Sequence, residues 1–82
     1  MYRKIDGSPR MTMHEASERY PDSYILMQMD DRSLFNPKGI ILFVGDDSDE
    51  LFSIQVNSKI PLGLVVEGLN YQRSLGGIVV GE

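Results

Sequence analysis

The sequence predicts an α+β fold: a small antiparallel sheet of about four strands with two short helices on one face. Three observations predict it. Residues 24–30, "YILMQMD", alternate apolar and more polar positions, the period of a half-buried strand. Residues 40–44, "IILFV", are apolar on both faces, as a central strand requires. Two polar stretches, "TMHE" at 12–15 and "DDSDE" at 46–50, carry helix-start chemistry.

Each element follows in order. Residues 1–10 are polar, carry Gly7 and Pro9, and read as a flexible N-terminal arm with a short extended piece at Tyr2–Ile5. Residues 11–82 read as a single α+β domain. Thr12 followed by Glu15 has the form of a capping box, in which a hydroxyl and a carboxylate satisfy each other's exposed amides. Met13, Ala16 and Tyr20 then fall on one helical face, and Pro21 ends the helix because the residue before proline avoids helical geometry. In the strand that follows, Ile25, Met27 and Met29 share one face. Asn36-Pro37 and Gly39 make a loop, so the next strand returns as an antiparallel hairpin. Ile40, Leu42 and Val44 should share one face of it and Ile41 and Phe43 the other.

After Gly45 two periodicities compete. Phe52, Ile54 and Val56 alternate as in a strand; Leu51, Phe52, Gln55 and Val56 also fit a helical face. The acidic start decides for a helix, because Asp and Ser accept bonds from exposed amides and carboxylates suit the positive end of the helix dipole. "LGLVVEGLN" reads as a strand, "YQRS" as a turn and "LGGIVVG" as a last strand weakened by two glycines.

The chain has 82 residues, a formal net charge of -4, no cysteine and one histidine. Disulfides and thiolate metal sites are therefore excluded, and so is a His-rich zinc site within one chain. The basic residues are scattered and form no concentrated face of the kind that neutralises phosphates, so nucleic acid is not an expected partner. No basic segment precedes an apolar one at the start, and the longest apolar run, Ile40–Val44, is far short of a membrane span. No membrane association and a cytoplasmic location are the expectations.

Four of the five residues from Asp46 to Glu50 are acidic. Asp46, Asp47, Asp49 and Glu50 are the candidate ligands for a hard cation such as magnesium or calcium. A calcium loop of the EF-hand type needs glycine at its sixth position and glutamate at its twelfth. Neither start, Asp46 nor Asp47, places a glycine at the sixth, and Leu51 and Phe52 intrude. The ordinary explanation of the cluster is the start of a helix. His14 is the one side chain suited to proton transfer near neutral pH, and Glu18 lies one helical turn on. No motif sets a nucleophile beside it, so no catalytic residue and no cofactor are expected.

Residues from Thr12 to about Val66 resemble small bacterial proteins grouped as domains of unknown function. The features shared are a short helix ending in "YP", the strands "SYILMQMDD" and "GIILFVG", and an acidic turn entering a helix, "DDSDELFSI". The resemblance implies an α+β fold and no catalytic residues.

At this length burial and chain entropy nearly cancel, so small proteins lean on disulfides, metals or a partner subunit. With no disulfide and no strong metal site, the expectation is a non-enzymatic protein–protein interaction module that forms a homodimer. Its edge strand, Ile78–Val80, has no proline or lysine to blunt pairing. The alternative is a small-molecule or divalent-metal-binding accessory protein using the acidic turn 46–50.

Overall fold

A computed structural model of the chain describes residues 1–30, 35 and 37–71. It contains strands β1 (Tyr2–Lys4), β2 (Met11–Thr12), β3 (Tyr24–Met29), β4 (Lys38–Gly45) and β5 (Gly63–Glu67), with helices α1 (Met13–Arg19) and α2 (Ser48–Asn57). The class is α+β, as the sequence predicts.

Both halves of the capping box form. Glu15 N–H donates to Thr12 Oγ1 at 3.1 Å, and Thr12 N–H donates to Glu15 Oε1 at 2.9 Å. The chain leaves α1 at Tyr20, whose N–H still reaches the Ala16 carbonyl, and then meets Pro21.

All strand pairs are antiparallel. Along the sheet the order is β1, β4, β3, β5, with β2 pairing the same side of β4 farther along. β4 and β3 are the interior strands, and Ile25, Leu26 and Met27 of β3 are fully buried. Residues 1–10, read as an arm, include β1. Arg3 pairs with Val44, Ile5 N–H reaches the Leu42 carbonyl, and Ser8 Oγ accepts the Ile41 N–H. These bonds tie the segment to β4.

In β4 one expectation fails. Leu26 pairs with Phe43 but Met27 pairs with Ile41, so Leu42 is passed over. This bulge shifts the alternation by one residue. Ile41 and Val44 therefore face the same core, where strict alternation had set them on opposite faces.

The two helices also lie on opposite faces of the sheet, not on one. Ala16 of α1 packs with Ile25, Met27, Met29, Ile41, Val44 and Val66. Leu26 and Leu51 are equally buried but stand outside that cluster. Gln55 of α2 lies against Gly63, which pairs with Gln28 on the Leu26 side of β3. The reason is topological. β2–α1–β3 and β4–α2–β5 each join two strands running the same way with a third between them. Both steps go the same way across the sheet, but on strands of opposite direction. Crossovers of one hand must then pass over opposite faces.

α2 ends without a glycine. Lys59 takes a left-handed conformation, with φ 52. Its N–H reaches the Val56 carbonyl and Ile60 N–H reaches the Gln55 carbonyl, the paired bonds of a Schellman motif. Residues 75–81, expected as the last strand, lie outside the described residues. Among the described residues no helix is long and apolar enough to cross a membrane.

Candidate functional site

The acidic turn joins β4 to α2, and its carboxylates have separate tasks. Asp47 is the N-cap of α2, and its Oδ1 accepts the Asp49 N–H at 2.9 Å. Asp49 is exposed in the first turn, where the helix dipole favours a negative charge. Asp46 and Glu50 face the Met1 ammonium, at 2.6 and 3.3 Å. The hydrogen bond that the ammonium donates to Asp46 raises the ammonium's own pKa above the ordinary value and lowers that of the Asp46 carboxyl. Glu50 Oε1 is enclosed and makes no well-formed hydrogen bond, but forms an ion pair with the ammonium. Asp46 and Glu50 thus converge on the Met1 ammonium, while Asp47 and Asp49 serve the start of α2. Among the described residues no three His, Asp or Glu side chains form a group able to hold a metal.

His14 Nε2 lies 3.6 Å from Glu18 Oε1 on the exposed side of α1. Ser17 is buried on another side of the helix and donates to the Glu67 carbonyl at 2.8 Å. The two residues are not brought together.

Two clefts stand out among those lined by described residues. One, of about 180 Å³, is walled by the 5–9 segment, Arg19, Tyr20 and Ile41. The other, of about 290 Å³, is a shallow depression around Met1–Arg3, Ser23 and Gly45. The first falls below the range of about 300–1,000 Å³ typical of ligand pockets, and the second sits at its lower edge.

The outer side of β5 is engaged from both faces of the sheet. Leu62 carbonyl and Gly68 N–H bond toward β3, so by alternation the Gly63 and Glu67 carbonyls point away from it. Gln55 Nε2 of α2 donates to the first at 2.8 Å and Ser17 of α1 donates to the second. These bonds occupy two acceptors that an incoming strand would need.

α2 carries a second apolar stripe that the sequence reading had merged with the first. Leu51 is fully buried, and Ile54 and Gln55 are half-buried against the sheet. Phe52 and Val56, one turn apart, are 54% and 70% exposed. A helical wheel separates the stripes, since about 100° divides each residue from the next. What the sequence could not show is which of the two faces the sheet. No family model matches the chain, and neither does any curated protein or solved structure.

Proposed function

We propose that the protein works by contact, as a non-enzymatic protein–protein interaction module that associates with a second copy of itself. The observation that supports this is the outward Phe52–Val56 pair on α2. Scattered apolar residues are ordinary on a surface, but an aromatic and an aliphatic side chain aligned at one-turn spacing form a continuous strip. Burying them adds stability to a domain whose own core is small. Asp47 caps α2, and Asp46 and Glu50 face the Met1 ammonium, so three of the four carboxylates already have partners, which gives less support to the cation-binding alternative.

Sedimentation or light scattering over a concentration series tests the reading. The average mass should rise from that of one chain toward that of two. A mass that stays at one chain up to submillimolar concentration overturns self-association.

A further inference from the structure

We infer that the self-association surface is the outer stripe of α2, Asp49–Phe52–Val56–Lys59, packed antiparallel on the same stripe of a second copy. This rests on the self-association reading and specifies its geometry. Asp49, Phe52 and Val56 lie within about 60° of one another when α2 is projected at 100° per residue, and Lys59 stands two residues past the helix end, beyond Val56. All four are exposed. Neither Asp49 nor Lys59 has an ion pair or side-chain hydrogen bond among the described residues.

The order of chemistry along the stripe is acid, apolar, apolar, base. Such an order is complementary to itself when reversed. A two-fold axis through the midpoint of Phe52 and Val56 sets Phe52 of each copy beside Val56 of the other. Asp49 lies three residues before Phe52, and Lys59 lies three residues after Val56. The same axis therefore sets each Asp49 opposite the Lys59 of the other copy. The antiparallel arrangement also brings the positive start of each helix to the negative end of its neighbour. A parallel pairing would instead set Asp49 against Asp49, so charge selects the antiparallel form. This closed, two-fold contact uses one patch on both copies and cannot propagate into a filament.

The contact is short, since α2 has 10 residues and spans about 15 Å. It belongs to the weak, transient class of interfaces, well under about 800 Å² per partner. The full chain should therefore be measured up to submillimolar concentration by sedimentation equilibrium, with circular dichroism as a check on folding. Phe52→Ser should weaken association at least about tenfold while the helix content stays. Asp49→Lys and Lys59→Asp should each weaken it by about fivefold, through two like-charge contacts per dimer. The double variant, Asp49→Lys with Lys59→Asp, should return association to near that of the original chain. That recovery is diagnostic, because both changes oppose the helix dipole and neither repairs the isolated fold. A dimer indifferent to Phe52→Ser and to both charge reversals overturns this surface and leaves self-association standing. A chain monomeric throughout overturns both.

Discussion

Ser17 Oγ donates to the Glu67 carbonyl at 2.8 Å, across 50 residues of chain. The bond ties α1 on one face of the sheet to the outer strand β5. Ser17 is 1% exposed, the one buried polar residue among those described. Ser17→Ala should lower stability by about 0.5–1.5 kcal/mol, the usual net contribution of such a bond. In a domain of this size that is a fall in melting temperature of several degrees, read by thermal or urea unfolding. An unchanged midpoint would mean that water replaces the hydroxyl without loss.

Glu15 makes the start of α1 sensitive to acid. Its bonds with the Thr12 backbone and side chain hold its carboxyl below the ordinary 4.5. A group whose folded pKa is depressed adds stability above its unfolded pKa and loses it as pH falls through the folded value. The folded chain should therefore weaken from about pH 4.5 downward. Glu15→Gln keeps an acceptor for the Thr12 N–H but does not titrate, so urea midpoints of this variant should fall less steeply across that window. Equal slopes would remove Glu15 from the acid response.

Asp47 fixes where α2 begins. Asp47→Ala removes the acceptor for Asp49 N–H and should cost about 0.5–2 kcal/mol. In the original chain, magnesium or calcium at millimolar concentration should leave the melting temperature unchanged. A ligand that binds only the folded state must raise it, so a rise with either ion would favour a cation site at 46–50 over the contact reading.

Gly68 and Gly63 should respond differently to one added methyl group. A Cβ at Gly68 would lie 2.5 Å from the carbonyl oxygens of Tyr20, Pro21 and Ser23, all backbone atoms. Gly68→Ala should cost about 1–3 kcal/mol, the range for overpacking. At Gly63 the three atoms nearest to it would all belong to the side chain of Gln55, at 2.9 Å. Gln55 can swing aside, so Gly63→Ala should cost less, limited to the bond that Gln55 gives up. Paired denaturant melts check the order, and the reverse order would contradict these backbone positions.

Where chemistry is local, the sequence determined the outcome. The Thr12–Glu15 box, the break at Pro21 and the cap at Asp47 each act within a few residues, so α1 and the start of α2 were legible before any packing was known. Alternation also sorted β3, with Ile25, Met27 and Met29 on one face. Tertiary structure decided the rest, because the physical causes act across the chain. The Leu42 bulge appears only when β4 is laid beside β3, and it brings Ile41 and Val44 to one core. Residues 2–4, part of the extended piece expected at Tyr2–Ile5, join the sheet as a strand because β4 offers them an edge. The two helices take opposite faces because two crossovers of one hand start from strands of opposite direction, which no local pattern records. The same placement turned Leu51 inward and left Phe52 and Val56 outside, and so made the candidate surface.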